Sequence, residues 1–395
     1  MAYSATSIDS SSKGQTLNFT TFSNVIDGQL VKTTNVLHGV NPATKEPLWD
    51  VPVTTQADLD TAVNAAQKAF KTWSRVPLEE RKAALEAFAV ALDKHTKDFS
   101  RLLTIEQGKP SFLATAEADA GPIWIRGLSA LNFGEEVVDD NEDRTVITRH
   151  TPLGVVGAIV PWNFPIQLAI GKIAPAVLTG NTIIVKPSPF TPYCGLKLVE
   201  LAQQFFPPGV VQALSGGDEL GPWIVAHPGI SKISFTGSTA TGKKIMESAS
   251  KTLKRITLEL GGKDPAIICK DVDIPTVSQK IAQVSFLNSG QICVALKRVY
   301  IHESIYSEFR DAMVAATKKL QVGDGLQEGV FMGPIQNQMQ YDRVRGFFDD
   351  IEKQGQKVLV GGTVEQSKGY FINPTIIDNP DANSRLVREE PFGKS

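Results

Sequence analysis

The amino-acid sequence predicts an α/β fold built on a doubly wound parallel sheet, with a second α/β unit following it along the chain. Short runs rich in β-branched residues alternate with helical or loop segments of about 15 to 25 residues, the order that parallel strands joined by crossover helices require. The chain has 395 residues, of which 42% are apolar and 21% charged. This composition is typical of a globular protein of roughly two or three domains.

The first helix is predicted directly after Thr55. Thr55 and Asp58 form a capping-box pattern, and apolar residues then recur every three or four positions as far as Trp73. The helix should end before Pro77. Residues 1–18 are rich in serine and lack the basic start and apolar run of a secretory signal, so we expect a disordered lead there.

A second, longer helical pattern carries apolar residues on one face from Leu85 to Leu103 and should close at Gly108 and Pro110. Both helical patterns are typical of core packing, and no chemistry is assigned to them. Between residues 137 and 152 the sequence becomes polar and alternating. This pattern predicts an exposed β-ribbon rather than a core strand.

The strands of the predicted sheet follow this ribbon. They are expected at 155–160, 182–185, 210–214, 233–235 and 256–260. A second unit is predicted from strands at 265–269 and 299–301 with a helix over 306–320. In a doubly wound sheet, ligands bind outside the carboxyl ends of the strands.

Charge and cysteine content exclude several classes of function. Forty basic and 42 acidic residues leave a formal charge of −2, so we expect no nucleic-acid partner. The three cysteines contain no CxxC pair and the five histidines no pair at ligand spacing, so we expect a reduced, cytosolic protein without disulfides or a metal site. The uncharged stretch 151–171 is interrupted by three prolines, which argues against a membrane span.

A glycine-rich turn at Gly237 and Ser238 lies between a predicted strand and a predicted helix. Backbone N–H groups at such a helix start bind anions, so we expect a phosphate-binding turn. Gly237, Gly242 and Lys243 match GxxxxGK, but Lys244 stands where a P-loop needs Ser or Thr, which argues against ATP hydrolysis. The structural alternative is a strand-to-helix turn that needs small residues only for close packing.

Cys293 and Glu259 are the candidate nucleophile and base. Cys293 lies in the turn-like segment NSGQIC, where a thiol can be presented at the end of an element. Glu259 lies near the end of the apolar strand RITLEL, and an acid buried in such a strand needs a role or a partner. A lone cysteine is more often a small buried apolar residue than a nucleophile. An acid at a strand end more often forms a salt bridge than acts as a base.

Two further residues lie at predicted strand ends. Asn163 stands between Pro161 and Pro165, so a stiff loop can aim its amide at a developing oxyanion, although an Asn can also simply close a turn. Lys186 ends the strand NTIIVK, where its charge can meet a nucleotide hydroxyl or phosphate.

Six motifs, PWNFP, IIVKPS, FTGST, ELGGK, GQIC and EEPFG, occur in an order and at spacings that resemble the aldehyde dehydrogenase superfamily. The resemblance extends from about Asn41 to the last residues. It implies a Rossmann-like cofactor domain over 19–136 and 153–261 and a β-ribbon for oligomerisation over 137–152. It also implies an α/β catalytic domain over 262–395, incomplete at its C-terminus, and a homo-oligomer that this shortening puts in question.

The resemblance implies oxidation of an aldehyde to a carboxylic acid with NAD(P)⁺. Cys293 would attack the aldehyde, Asn163 would hold the oxyanion of the thiohemiacetal, and Glu259 would activate water to hydrolyse the thioester. Two alternatives are a non-catalytic relative that keeps the fold, and a thiol hydrolase that pairs Cys293 with His302.

The resemblance also implies the ligand contacts. The cofactor-binding residues would be Trp162, Lys186, Gly237, Ser238, Gly242, Leu260, Glu390 and Phe392. NAD is favoured because no basic residue in KPSPFTP offers a partner for a 2′-phosphate, and NADP stays open because Pro189 stands where many NAD-preferring members carry Glu. The substrate pocket would be lined by Phe164, Gln167, Ile292 and Val294, which predicts medium-sized aliphatic or aromatic aldehydes.

Overall fold

The structure, a computed structural model, describes residues 17–131, 133–364 and 367–393. Most of the predicted N-terminal lead therefore lies outside the described residues. The helices are α1 (Gln56–Trp73), α2 (Leu78–Lys94), α3 (Thr96–Gln107), α4 (Ser111–Ser129), α5 (Pro165–Leu178), α6 (Tyr193–Ala202), α7 (Leu220–Ala226), α8 (Thr239–Ser250), α9 (Ile274–Phe286), α10 (Tyr306–Thr317), α11 (Gln338–Lys353) and α12 (Arg385–Arg388). The strands are β1 (Asn24–Ile26), β2 (Gln29–Val31), β3 (Val36–Val40), β4 (Pro47–Pro52), β5 (Glu136–Asp140), β6 (Thr145–Thr148), β7 (Val155–Ile159), β8 (Thr182–Lys186), β9 (Val211–Ala213), β10 (Lys232–Thr236), β11 (Arg255–Glu259), β12 (Asp264–Ile268), β13 (Leu296–Ile301), β14 (Val358–Val360) and β15 (Ile376–Ile377).

The main sheet of the described residues has the strand order β11-β10-β7-β8-β9-β1-β2. The strands from β11 to β9 are parallel, and β1 and β2 add an antiparallel edge. From β7 the chain builds β8 and β9 on one side and then returns to add β10 and β11 on the other. The sheet is therefore doubly wound, which confirms the predicted fold class, and the strand order reverses between β7 and β10.

Helices cover both faces of this sheet. Ile183 and Val185 of β8 belong to a buried cluster with residues of α2 to α6, whereas Ile184 between them belongs to a second cluster with residues of α1, α7 and α8. Successive side chains of a strand point to opposite faces. The continuous apolar run of β8 thus reflects burial on both faces, as in other parallel sheets.

The first helix begins as predicted. Thr55 Oγ1 accepts a hydrogen bond from the Asp58 N–H at 3.2 Å, and Asp58 Oδ2 accepts one from the Thr55 N–H at 2.8 Å. The prediction of one longer helix after it is wrong, because α2 ends at Lys94 and α3 begins at Thr96. His95 between them has φ −105° and ψ 10°, outside the helical region, and the apolar periodicity continues across this break. Gly108, with φ 89°, ends α3 where expected.

An antiparallel ribbon of β5 and β6 precedes the sheet. Four of its apolar side chains are exposed, namely Val137, Val138, Val146 and Ile147. The ribbon therefore buries little of its surface against the rest of the described chain.

The second α/β unit contains the parallel pair β12 and β13, packed on α9 and α10. Ile268, Ala282 and Phe309 form its buried centre. The domain boundaries at residues 137, 153 and 262 stay a prediction. Within the described residues, no helix combines the length and the apolar character needed to cross a membrane.

Candidate active site

Four of the candidate residues lie at the carboxyl edge of the main sheet. Asn163 lies in the loop after β7, Lys186 ends β8, Gly237 follows β10, and Glu259 ends β11. Because these strands are parallel, their carboxyl ends lie at one edge, and the reversal between β7 and β10 opens a crevice there. The topology therefore brings these four residues to one side of the molecule.

Asn163 joins this edge to the loop that carries Cys293. Its side chain is buried, and Nδ2 donates a hydrogen bond to the Gln291 carbonyl at 3.0 Å. In the other direction, Asn288 Nδ2 donates to the Asn163 carbonyl at 3.3 Å. These two bonds connect Asn163 to the loop of Cys293, and Gln291 is two residues before the cysteine. The second N–H of the Asn163 side-chain amide is left for a ligand.

The Cys293 loop begins with a left-handed turn after α9. Asn288, Ser289 and Gly290 have φ values of 49°, 60° and 73°. For residues other than Gly this conformation costs roughly 1–2 kcal/mol each, and a bond of 2.8 Å from Ser289 Oγ to the Gly333 carbonyl helps to hold it. The turn leaves Cys293 half-buried, and within the described chain its backbone N–H donates no hydrogen bond.

Lys297 is a buried cation beside Cys293 that the sequence reasoning missed. Its Nζ donates to the carbonyls of Ile292 at 2.9 Å and Cys293 at 3.4 Å, and it lies 3.1 Å from Glu390 Oε1. The only signal in the sequence is a lysine four residues after the cysteine, preceded by three apolar residues. Lys297 thus links the Cys293 loop to the C-terminal motif, residues 389–393.

The C-terminal motif contacts residues that follow β7 and β11 at the carboxyl edge of the main sheet. The Phe392 ring meets the Trp162 ring edge to face, with 5.2 Å between the ring centroids. Glu390 rests on Gly261, where a Cβ would clash with its carboxylate. Gln340 Nε2 donates to the carbonyls of Pro391 at 2.7 Å and Phe392 at 3.0 Å. The motif is therefore anchored on α11 and on the Gly261 turn together.

Glu259 differs from the expectation of a buried acid. Its strand β11 is the edge of the sheet, and its side chain is exposed. The acid needs no buried partner, because one side of an edge strand faces solvent. The sequence reasoning could not place β11 at the edge.

Lys172 is a second cation that the sequence reasoning missed. It is buried in α5 and donates to Thr236 Oγ1 at 2.8 Å and Ser234 Oγ at 3.2 Å. Burial lowers the pKa of Lys172 to about 8, and the negative charge of Glu259 opposes this shift. A lone lysine within the apolar helix PIQLAIGKIAPAVL is the signal that could have found it.

The residues expected to hold a dinucleotide present unmatched polar groups. Lys186 is buried, and among the described residues its Nζ reaches only the Pro187 carbonyl at 3.5 Å. Burial lowers the pKa of Lys186 to about 8. Glu390 Oε1 is buried and, within the described residues, has the Lys297 ion pair but no hydrogen bond. Ser238 caps α8, whose exposed N-terminus suits an anion. Ribose hydroxyls and a pyrophosphate therefore fit this set of groups.

Gly242 and Leu260 have a packing role in this structure. Gly242 is buried in α8, and a Cβ there would lie 2.9 Å from Leu260 Cδ2. The small residue therefore lets α8 approach β11 closely. Direct contact of these two residues with a cofactor stays a prediction.

The expected substrate-pocket residues differ in exposure. Phe164, Gln167 and Ile292 are half-buried, whereas 68% of the Val294 surface is exposed. His302, the partner in the alternative thiol-hydrolase interpretation, lies at the far end of β13 from Cys293. At about 3.3 Å per residue the strand separates the two by roughly 20 Å, and His302 Nδ1 instead lies 2.9 Å from Ser304 Oγ. Searching the described residues finds no cluster of three His, Cys, Asp or Glu that could hold a metal ion.

Comparison with known proteins identifies the family. The sequence profile of the aldehyde dehydrogenase family matches residues 30–394. Aldehyde dehydrogenase LUC3 of a Fusarium species is 44% identical over 379 residues, 95% of this chain and 80% of that protein. The NAD⁺ complex of betaine aldehyde dehydrogenase from Staphylococcus aureus is 32% identical with a TM-score of 0.89, covering 94% of this chain and 76% of that one. An NADP-dependent enzyme of E. coli is 31% identical with a TM-score of 0.91, covering 95% of this chain and 80% of that one. The chain therefore belongs to the aldehyde dehydrogenase family of NAD(P)-dependent enzymes, as the six sequence motifs predict.

Proposed function

We propose that this protein oxidises an aldehyde to a carboxylic acid through a covalent intermediate on Cys293, with NAD⁺ as the cofactor. The observation that carries the proposal is the bond between the Asn163 amide and the Gln291 carbonyl at 3.0 Å. It holds a hydrogen-bond donor and a half-buried thiol on adjacent loops, at the crevice of a doubly wound sheet.

The first step forms a bond between the Cys293 sulfur and the aldehyde carbon. The Cys293 thiol gives its proton to solvent and the thiolate attacks. The carbonyl electrons then move to oxygen, and a thiohemiacetal oxyanion results. The free amide N–H of Asn163 and the backbone N–H of Cys293 are the donors available to this oxyanion. Removing one such donor typically slows a reaction by about a hundredfold or more.

When bound, NAD⁺ would supply the acceptor for a hydride from the tetrahedral carbon, which would leave a thioester on Cys293. The residues of the chain would position the cofactor. Ser238 and the start of α8 would hold the pyrophosphate, Lys186 the hydroxyls of the adenine-side ribose, and Glu390 those of the second ribose. Trp162 and Phe392 would border the ring.

Hydrolysis of the thioester completes the reaction. The exposed carboxylate of Glu259 has access to water and would take a proton from it as the oxygen attacks the thioester carbon. The carbon–sulfur bond then breaks, the carboxylic acid leaves, and the thiol of Cys293 is restored.

The sequence around Lys186 supports NAD over NADP. Residues 187–192 contain no cation that could pair with a 2′-phosphate. The half-buried Phe164 and Ile292 support an aliphatic or aromatic aldehyde as substrate, with Gln167 the one polar group of the set. Assays over a panel of aldehydes should therefore show a lower kcat/KM for substrates that carry a carboxylate or a phosphate.

Three substitutions test the mechanism. Cys293→Ala should abolish NADH formation, and Asn163→Ala should lower kcat/KM by about a hundredfold. Glu259→Gln should still give one rapid turnover of NADH, because only the hydrolytic step needs the base. Rapid-mixing absorbance measurements separate this burst from steady-state turnover.

Two results would contradict the proposal. Full activity of Cys293→Ala would exclude the covalent route, and a normal steady-state rate in Glu259→Gln would exclude that base. If the unmodified protein binds NAD⁺ in calorimetry yet oxidises no aldehyde of the panel, it is a non-catalytic relative instead.

A further inference from the structure

We propose that the buried pair Lys109 and Glu117 positions the oxyanion loop, residues 163–167, and that Lys109 in particular orients the Asn163 amide for catalysis. This inference rests on the proposed function of Asn163. The pair touches neither the substrate nor the cofactor, so both members are positioning residues.

Lys109 holds the first part of the oxyanion loop. Its side chain has no exposed surface and forms an ion pair with Glu117. Its Nζ also donates to the Asn163 carbonyl at 2.9 Å and lies 3.8 Å from the centre of the Phe164 ring. One ammonium group therefore contacts both the residue proposed to bind the oxyanion and the aromatic residue proposed to line the pocket.

Glu117 holds the second part of the same loop. While Oε2 pairs with Lys109, Oε1 accepts hydrogen bonds from the N–H groups of Ile166 at 2.9 Å and Gln167 at 3.2 Å. These N–H groups are in the first turn of α5, where a carboxylate is favoured by the helix dipole. The pair thus binds every residue of the oxyanion loop except Pro165.

Stability alone does not account for this arrangement. Burial lowers the pKa of Lys109, and the charge of Glu117 only opposes that effect. Replacing a buried ion pair by apolar residues of similar volume is often neutral or stabilising. Here the two charges have directed bonds to the backbone of a single five-residue loop. The placement of these bonds indicates that the pair orients the loop rather than stabilising the fold in general.

The second donor to the Asn163 carbonyl comes from the Cys293 loop. Lys109 enters from the connection between α3 and α4, and Asn288 enters from the turn after α9. Two separate elements therefore fix the backbone of Asn163, and its side-chain amide is held by the bond to the Gln291 carbonyl. Misplacing a catalytic group by about 1 Å can cost on the order of a hundredfold in rate.

A double-mutant cycle in the full-length chain tests the inference. Lys109→Met should lower kcat/KM for the aldehyde by at least about tenfold while the KM for NAD⁺ stays within about twofold. In the Asn163→Ala background the same substitution should cost less than about twofold, because the amide that it orients is gone. A purely structural role predicts the same factor in both backgrounds, and that result would overturn the inference.

Lys197→Met is the matched control. Lys197 is equally buried and pairs with Glu200 on α6, but it does not contact the oxyanion loop. It should lower the free energy of unfolding while kcat/KM changes by less than about twofold. If Lys197→Met lowers kcat/KM as much as Lys109→Met does, loss of any buried ammonium is sufficient and the inference fails.

A second variant and a second readout keep the test independent of folding and of turnover. If Lys109→Met does not fold, Glu117→Gln replaces it in the cycle, since Gln keeps a carbonyl for the two N–H groups but loses the charge. Hydrogen exchange at the amides of Ile166 and Gln167 should accelerate in Glu117→Gln and stay unchanged in Lys197→Met. Unchanged exchange in Glu117→Gln would overturn the inference, whereas absence of any aldehyde oxidation by the unmodified protein would overturn only the proposed function.

Discussion

Buried lysines define the candidate active site at the scale of single residues. Lys109, Lys172, Lys186 and Lys297 are each surrounded by protein near the crevice, and each approaches a different functional group. Their roles depend on partners that are distant in sequence, such as the 54 residues between Lys109 and Asn163. The motif residues themselves could be predicted from sequence, because short motifs carry them. Of the four lysines, Lys186 lies in such a motif, whereas Lys109, Lys172 and Lys297 could not be predicted, because local sequence does not show that a charge is buried.

The first residue-scale prediction concerns the pH dependence of stability. The pKa of Lys172 falls from 10.5 in the unfolded chain to about 8 in the folded one, so between these values the unfolded state binds more protons. The unfolding free energy therefore rises with pH from about 8 to 10.5. Lys172→Met should reduce this rise and increase the unfolding free energy at pH 7 by ~1–2 kcal/mol, less than the full shift because Thr236 and Ser234 lose a partner.

Urea denaturation at several pH values measures this effect. Lys280→Met, at an exposed position of α9, is the control and should leave the slope unchanged. Lys186 and Lys263, whose pKa values are also lowered to about 8 by burial, contribute to the same window. A slope in Lys172→Met equal to that of the control would show that the Lys172 proton is not linked to folding.

At the scale of elements, the turn before Cys293 shows what sequence could and could not predict. Strands β7, β8, β10 and β11 lie within two residues of their predicted bounds, because β-branched runs mark them clearly. The break at His95 has no comparable signal. The segment NSGQIC predicts a turn at 288–290 but not its left-handed conformation. The turn depends on bonds to Asn163 and Gly333, which only the folded chain provides.

Gly290→Ala tests the importance of this turn. Gly290 has φ 73°, and a Cβ there would overlap the Gly393 carbonyl oxygen. The methyl group must displace either the Cys293 loop or the C-terminal motif. We expect the unfolding free energy to fall by about 1–3 kcal/mol and kcat/KM to fall by at least about tenfold.

Gly217→Ala is the corresponding control. A Cβ at Gly217 would meet no other atom within 4 Å, and the residue has no left-handed φ, so the stability change should stay within about 0.5 kcal/mol. Denaturation and turnover measured side by side give the comparison. Equal activity of the two variants would show that the loop tolerates the displacement.

At the scale of the whole molecule, the exposed ribbon of β5 and β6 is the clearest surface for self-association. Val137, Val138 and Ile147 are exposed on it to 57%, 61% and 49%. Two-stranded ribbons are marginally stable alone, and exposed apolar patches often mark protein contacts. We propose that the ribbon packs on a second copy of this chain, in agreement with the expected homo-oligomer.

Ile147→Asp should therefore reduce the mass of the particle in solution, because a charge in an apolar contact is costly. Sedimentation velocity measures the mass, and circular dichroism checks that the fold is retained. Leu30→Asp is the control, since Leu30 is 50% exposed on β2 at the edge of the main sheet. An unchanged mass for Ile147→Asp would exclude the ribbon as the contact.

The bond between the Asn163 amide and the Gln291 carbonyl joins positions 128 residues apart. It connects a loop of the main sheet to a loop that leads into β13, and these two regions bury separate apolar clusters. Loop-closure entropy grows only with the logarithm of chain length, so this long separation adds little to the cost of folding. The loop of Cys293, the proposed nucleophile, nevertheless contacts the Asn163 amide only while both clusters are docked. If these two regions separated while each kept its own core, catalysis would therefore stop. Loss of activity would then detect the separation more sensitively than any measure of secondary structure.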